Sequence, residues 1–224
     1  FVIAPEYDFG DRYFLEGYAT VVKDGSEFFS SRGIIDKKGN FLSIPIESFD
    51  FTINSFSEGL YPICKEGNEL WGYIDYTGEF VIEPEFTKCF IFSEGMGEVN
   101  FPDGDVGYID RDGNVVIKSQ FDLTYPFSEG LALVNVDILG DKPCGYIDKT
   151  GSFVIEPQFD SASYFSEGLA LVGISEEDGY KNGFIDKTGE FVIGPVEHCG
   201  FGNFRKIDGT FDPRKVDDEE LKIK

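Results

Sequence analysis

The feature that most constrains this chain is a repeat of about 38 residues. The pattern Gly-x-Ile-Asp-x-x-Gly begins five times, at Gly33, Gly72, Gly107, Gly145 and Gly183, in steps of 39, 35, 38 and 38 residues. A second pattern, Phe-x-Glu-Gly, ends upstream of the first in every copy, at Gly17, Gly59, Gly95, Gly130 and Gly168. Two patterns with one period indicate tandem copies of a single structural element that buries its core by stacking.

A third pattern, Phe-x-x-x-Pro, sets the boundaries of the copies. It begins at Phe1, Phe41, Phe80, Phe153 and Phe191, and the copy that starts at Val115 departs from it with Ser119 in place of proline. The repeats are therefore predicted at residues 1–40, 41–79, 80–114, 115–152 and 153–190, with a part-copy from residue 191.

The repeat domain is predicted to span residues 1–195. Residues 196–224 form a degenerate end and a tail of alternating charge. The chain opens on Phe1 without an initiator methionine or a secretory leader, which favours a cut domain or a processed chain. The repeats are expected to be part of a larger multidomain protein.

Each copy has the residues of a short β-meander. The segment 145–155 predicts two strands joined by an Asp-x-x-Gly type I turn, whose glycine supplies a positive φ. The segment 127–134 predicts a strand after a bulge or tight bend. The spacing of Phe159, Ala162 and Phe165 fits either a fourth strand or one helical turn. Because glycine or proline interrupts every apolar run, no helix longer than one turn is expected.

The run Phe153-Val154-Ile155 is apolar on both faces of a strand and is expected to be covered twice. This favours radially arranged blades, so the expected fold is an all-β, propeller-like closed ring. The ring would have five blades, or six if the part-copy after residue 191 pairs with residues 1–30. An open solenoid of the same strands is the alternative.

One segment of the chain reads Trp71-Gly72-Tyr73-Ile74-Asp75, followed by Thr77-Gly78-Glu79-Phe80-Val81-Ile82. Elsewhere the chain contains Glu-Gly-Leu-Ala-Leu-Val. Together these sequences resemble the bacterial WG-repeat family. The resemblance covers about residues 1–195. The tryptophan is kept only at Trp71, and the other copies carry Arg32, Val106, Cys144 and Asn182. The resemblance implies a binding module of multidomain bacterial proteins that has no family active site.

Composition limits the class of partner. With 41% hydrophobic residues and 24 Phe the chain is expected to fold, and it has no run of about 18 apolar residues to cross a membrane. The 42 acidic and 19 basic residues give a formal charge of −23. Nucleic acid would be repelled, whereas a basic protein or peptide would be attracted, although an acidic surface is also simply a solvated one.

No residue set predicts catalysis, a cofactor or a metal. The four cysteines form no C-x-x-C pair, and His198, the only histidine, should point away from Cys199 in an extended segment. The repeated acids Asp36, Asp75, Asp110, Asp148 and Asp186 each have a turn role. A further set of acids has either a turn role or the role of a carboxylate ring for a cation or basic peptide: Glu16, Glu58, Glu94, Glu129 and Glu167.

Residues that differ between copies are the binding candidates. Trp71 and Tyr73 form either a contact patch or part of the core. Two variable connecting segments, 136–143 and 174–181, contribute Asp137, Asp141, Lys142, Glu176, Glu177, Asp178 and Tyr180. The predicted function is a non-catalytic protein–protein interaction scaffold. A carbohydrate or small ligand in the axial channel of the ring is the second hypothesis, and an enzyme with an unrecognised site is the third.

Overall fold

A computed structural model describes residues 7, 9–10, 14–23, 31–43, 56–64, 67, 69–118, 121–136, 144–177, 179–198 and 204–206 of the chain. In these ranges no residue is helical, so none belongs to a helix that could span a membrane. The strands form five small antiparallel sheets in which each strand pairs with the next one along the chain. The expected all-β tandem-repeat architecture is confirmed.

The first sheet contains β1 (Phe9–Gly10), β2 (Tyr18–Lys23), β3 (Ser31–Asp36) and β4 (Phe41–Ser43). The second contains β5 (Tyr61–Cys64), β6 (Trp71–Ile74) and β7 (Phe80–Phe86). The third contains β8 (Lys88–Ser93), β9 (Met96–Asn100), β10 (Val106–Ile109) and β11 (Val115–Lys118). The fourth contains β12 (Leu123–Thr124), β13 (Ala132–Asn135), β14 (Cys144–Ile147) and β15 (Phe153–Phe159). The fifth contains β16 (Ser161–Ala162), β17 (Ala170–Glu176), β18 (Gly179–Ile185), β19 (Phe191–His198) and β20 (Phe204–Lys206).

Between the second and third sheets, and between the fourth and fifth, the chain passes from one sheet to the next within a single residue. Thr87 alone separates β7 from β8, and Asp160 alone separates β15 from β16. The Phe-x-x-x-Pro segment is thus the last strand of a sheet, although the sequence repeats begin at it. The spacing of Phe159, Ala162 and Phe165, which also fitted a helical turn, belongs to the end of β15, the short strand β16 and the coil after it.

The glycine and the proline of the repeat serve one bulge. Opposite Gly72, the register of β7 slips between the pairs Trp71–Phe86 and Tyr73–Ile82, so β7 carries extra residues there. Pro84 lies in this bulge, where its missing N–H breaks no ladder hydrogen bond. A Cβ on Gly72 would be 2.8 Å from the nitrogen of Pro84 and closer still to the carbonyl oxygen of Ile82. Only glycine leaves room for the bulged strand.

The chain divides into two compact parts, Phe1–Gln120 and Phe121–Lys224. In the first part, apolar side chains of consecutive sheets pack together in clusters that include Ile34 with Ile63 and Phe86 with Val99. In the second part, one cluster joins the fourth and fifth sheets, with Leu133, Tyr146 and Phe159 against Val172 and Ile185. Each core therefore lies between neighbouring sheets of its part.

The last strands are not covered on both faces, and that expectation is wrong. In β15, Ile155 is buried and Phe153 half-buried, but Val154 is 45% exposed. Val81 in β7 has the same exposure pattern, at 46%. The apolar run does not require two covering layers, because an antiparallel sheet can leave one face to solvent.

Candidate functional site

Each sheet has two ends with different chemistry. In an antiparallel meander, the first-to-second and third-to-fourth connections lie at one end, and the second-to-third connection lies at the other. We call these the turn end and the connection end. The Phe-x-Glu-Gly and Asp-x-x-Gly turns are at the turn end, whereas the variable segments are at the connection end.

At the turn end, the Phe-x-Glu-Gly motif forms a two-residue hairpin turn. Ser57 and Leu60 pair across it with mutual backbone hydrogen bonds of 3.1 Å. The two central residues both have positive φ, 54° at Glu58 and 80° at Gly59, which is the type I′ geometry. All five glutamates of the motif have φ between 50° and 54°. Asparagine suits this position better locally, so the repeated glutamate needs a non-local reason.

That reason is the next turn along the chain. The Glu16 carboxylate accepts hydrogen bonds from the amides of Glu58, at 2.7 Å, and Gly59, at 2.9 Å. The Glu58 carboxylate accepts one from the amide of Gly95, with both oxygens within 3.0 Å. Glu129 does the same for Gly168 at 2.9 Å. We call this row of contacts the glutamate ladder.

Two further side-chain positions complete the ladder. The hydroxyl of Ser57 donates to the carbonyl of Phe92 at 2.6 Å, and Ser128 donates to Phe165 at 2.7 Å. In the other direction, the residue after the Asp of the third-to-fourth turn reaches back to the glutamate of the preceding copy. The Tyr76 hydroxyl donates to Glu16, Arg111 donates to the carbonyl of Glu58, and Lys187 donates to that of Glu129.

These contacts favour the ionised form of Glu16 and of Glu129. Burial opposes ionisation of Glu16, but hydrogen bonds from Gly59, Tyr76 and Glu58 outweigh it and lower the pKa of the carboxyl. The Lys187 ammonium lowers the pKa of Glu129. Burial, followed by the hydrogen bond to Glu16, raises the pKa of Tyr76 to about 12. Because these carboxylates bind neighbouring turns, the ladder is a contact between repeats. Glu16, Glu58 and Glu129 therefore do not form a ring of free acids.

The Asp-x-x-Gly turns have the predicted chemistry. The Oδ1 atom of Asp75 accepts the amides of Thr77 at 2.7 Å and Glu79 at 3.3 Å, and Gly78 has a φ of 85°. The hydroxyl of Thr77 also donates to this oxygen and is the first cause of the lowered pKa of Asp75. The acids at positions 36, 110, 148 and 186 accept the same pair of amides.

Tyr73 lies between sheets rather than on a surface. Its side chain is fully buried, and its hydroxyl donates to the carbonyl of Phe90 in the next sheet at 2.6 Å. Tyr146 donates in the same way to Ser163. Trp71 is half-buried and packs against the cluster that contains Tyr73. The structure thus places Tyr73 in the core, and it leaves only part of the Trp71 side chain exposed to solvent.

At the connection end, the copies differ in length. The segment between β9 and β10 is a tight turn in which Phe101 pairs with Asp105, and Lys118 forms ion pairs with Asp103 and Asp105. The segments 24–30 and 137–143 lie outside the described residues, and with them the predicted contact residues Asp137, Asp141 and Lys142. This end carries the differences between repeats.

The predicted loop 174–181 is mostly strand, which corrects its assignment as a connecting segment. β17 and β18 pair up to Glu176 and Gly179, so a long hairpin of two seven-residue strands projects from the fifth sheet. The corresponding strands β13 and β14 have four residues each. At about 3.3 Å per residue, the three extra residues extend the hairpin by roughly 10 Å. Asp178, at its tip, lies outside the described residues.

Side chains fix the hairpin to its sheet. The Tyr180 hydroxyl bonds to Ser161 Oγ at 2.5 Å, and its ring covers Gly173. Lys181 is buried and forms an ion pair with the half-exposed carboxylate of Glu176. Glu176 and Tyr180 therefore hold the hairpin in shape, and Glu177 is the exposed acid of the tip.

In the described ranges, no group of three or more His, Cys, Asp or Glu side chains could hold a metal ion. Cys64, Cys89 and Cys144 are buried free thiols, and burial raises the pKa of Cys89 far above its usual range. The backbone of His198 ends β19, while its side chain and Cys199 lie outside the described part.

The glutamate ladder was not predicted from the sequence. One signal for it was present, because glutamate recurs at a turn position that local rules give to asparagine or glycine. A second was the residue after each Asp of the third-to-fourth turn, which is a hydrogen-bond donor in every copy: Lys37, Tyr76, Arg111, Lys149 and Lys187.

The sheets, their repeated turns and the ladder define a tandem β-repeat protein. The family model described as "WG containing repeat" matches residues 1–26, 33–68, 71–101, 107–137 and 145–175. The chain therefore belongs to the WG containing repeat family, as its sequence resemblance predicted.

Other comparisons add little to this assignment. No curated protein matches the sequence. A solved structure titled "Crystal structure of the eukaryotic initiation factor" is similar with a TM-score of 0.36 and 10% identity. The match covers 79% of this chain and spans about half, 51%, of that one.

Proposed function

We propose that this chain is a non-catalytic interaction scaffold that binds a protein partner through its connection ends. The observation that supports this most is the contrast between the two ends of the sheets. At the turn end, Glu16, Glu58 and Glu129 bind neighbouring repeats, and the repeated aspartates bind their own turns. At the connection end, length and sequence change from copy to copy. Recognition surfaces are usually carried by such variable connections on a constant scaffold.

The charge of the connection end favours a basic partner. Its acids include Asp103 and Asp105 in the third sheet and Glu176 and Glu177 in the fifth. Only part of this charge is balanced locally, by Lys118 and Lys181. Together with the formal charge of −23, this would speed the encounter with a basic surface and slow it at high salt.

Charge reversal at the hairpin tip tests the proposal. The double variant Glu177→Lys and Asp178→Lys should weaken binding of a partner captured from cell extract by about tenfold, because the tip acids no longer attract it. A matched control, Glu156→Lys with Glu190→Lys, makes the same change of charge away from the connection end and should change the affinity by less than about twofold. Isothermal titration with the purified partner measures both.

The proposal fails if binding survives replacement of both variable segments. In that variant, residues 137–142 and the tip residues 177–178 are exchanged for glycine and serine, and circular dichroism checks the fold. Lys181 and Tyr180 are kept, because they hold the hairpin to its sheet. An unchanged affinity would exclude the connection ends as the binding surface.

We also propose that the repeats close into a propeller-like ring of five sheets. The nearly constant repeat length supports this, as does the reuse of one contact mode between consecutive repeats in each compact part. Small-angle X-ray scattering should then give a radius of gyration of about 17 Å, the value for a compact chain of this length. An elongated profile with a clearly larger radius would favour the open solenoid.

A further inference from the structure

The last strands of the sheets present open edges. Among the described last strands, β4, β7, β11 and β15 each pair with one neighbour only, namely β3, β6, β10 and β14. An edge strand of this kind offers unpaired N–H and C=O groups to any extended chain that reaches it. Proteins commonly protect such edges with prolines, bulges and charged side chains.

Two of these four edges are protected by a bulge, a proline and acids together, and the side chains of β4 after Phe41 lie outside the described residues. β7 carries a bulge, Pro84 and the exposed acids Glu83 and Glu85. β15 has the same bulge between the pairs Cys144–Phe159 and Tyr146–Ile155, and its sequence continues Ile155-Glu156-Pro157. A chain that tried to pair with either strand would meet a kink and a missing donor.

β11 lacks the proline, the acids and the bulge at the repeat glycine. Its sequence is Val115-Val116-Ile117-Lys118, and Ser119 stands where the other copies have proline. Lys118 pairs with Gly107 and Ile117 with Tyr108, so the register slips only once, at Val116, between the pairs of Tyr108 and Ile109. Val115 and Val116 are 50% and 43% exposed. Of the three edges whose side chains are described, β11 therefore has the fewest protections.

The fifth sheet shows that a last strand of this fold can accept another strand. β20 pairs antiparallel with the end of β19, through Val196–Lys206, Glu197–Arg205 and His198–Phe204. The added strand has the sequence Phe-Arg-Lys, which is basic in a strongly acidic chain. The fifth sheet thus gains a strand on its last strand, at the residues that follow Pro195.

Charge indicates the chemistry of an occupant for β11. Asp112 is exposed in the turn before the strand, and Asp103 and Asp105 lie beside its other end, where Lys118 alone balances them. Acids thus flank an apolar edge of four residues, or about 13 Å of extended chain. We infer that β11 is a docking edge for an extended segment of a partner protein, with β-branched residues in its centre and basic residues at its ends. The segment adds to the third sheet as a fifth strand.

This edge is separate from the connection ends. Binding at β11 uses backbone groups of an edge strand, whereas the proposed scaffold function uses the hairpin tip and the connection segments. The failure of one proposal leaves the other standing, because the variants that test them share no residue.

A synthetic peptide tests the docking edge. The probe is a blocked eight-residue peptide in which threonine and valine alternate between terminal lysines, titrated against the full chain. Hydrogen–deuterium exchange should slow at the amides of residues 115–118 on binding, and it should stay unchanged at residues 80–82 and 153–155. Val116→Lys, which places a like charge under the peptide, should weaken binding by about tenfold. The matched variants Val81→Lys and Val154→Lys, at the same position of the protected edges, should leave the affinity within about twofold.

Three outcomes overturn the inference. They are no saturable binding up to about 1 mM peptide, equal protection at all three edges, or equal loss of affinity in the three lysine variants. A second peptide with proline in place of valine cannot pair with a strand edge and should not bind. If it binds as well as the first, attraction by charge explains the binding and the edge does not.

Discussion

Replacing Phe159 with alanine is expected to lower the free energy of unfolding by about 3–5 kcal/mol. Phe159 ends β15, is almost fully buried and packs in the cluster between the fourth and fifth sheets. Its removal leaves a cavity that strands held on both sides cannot fill by collapse. Chemical denaturation followed by fluorescence and circular dichroism measures the loss.

The same strand supplies the controls. Val154→Ala should cost less than about 0.5 kcal/mol, because this side chain is largely exposed. Phe153→Ala should fall between the two, since Phe153 is half-buried and meets Phe121 edge-on at a centroid distance of 5.9 Å. If Val154→Ala cost as much as Phe153→Ala, β15 would be covered on both faces after all.

Replacing Gly72 with alanine is expected to cost about 3 kcal/mol, which is large for the addition of one methyl group. The new Cβ would meet backbone atoms of the bulge, the nitrogen of Pro84 at 2.8 Å and the carbonyl carbon of Glu83 at 2.9 Å. Backbone atoms of a paired strand cannot rotate away, so the bulge itself must move. Thermal and denaturant unfolding of the variant measure the effect.

Gly173→Ala is the comparison, because its obstacle can move. The added Cβ would meet the Tyr180 side chain and Ser161 Oγ rather than backbone. Rotation of Tyr180 relieves the clash at the expense of its hydrogen bond to Ser161, so the cost should be below about 1.5 kcal/mol. An equal loss in the two variants would show that the Gly72 bulge is no more rigid than an exposed side chain.

Features that depend on neighbouring residues in the chain were predictable. Asp75 and Gly78 define their turn because an Asp side chain and a positive φ act within a few residues. The all-β class followed in the same way, from short apolar runs between glycines and prolines. Each of these rules acts over a shorter distance than one repeat.

Features that depend on the next repeat were not predictable by the same rules. The partner of Glu58 is the amide of Gly95, 37 residues away, and no local rule points to it. The exposure of Val154 depends on its strand being the last of its sheet, which an apolar triplet does not show. The hairpin at Glu176 and Gly179 depends on how far two strands keep pairing, and polar residues on a solvated hairpin look the same as a loop.

The glutamate ladder has a direction. The turn at Glu58 sends its Ser57 hydroxyl and its own carboxylate forward along the chain, and its backbone amide receives the Glu16 carboxylate of the preceding copy. A copy of this kind thus carries side-chain groups that bind the next copy on one side, and backbone groups that bind the preceding copy on the other. Where both groups are kept, duplicating or deleting one whole copy in frame rebuilds a junction with the same bonds, so copy number can change during evolution without a new interface having to arise.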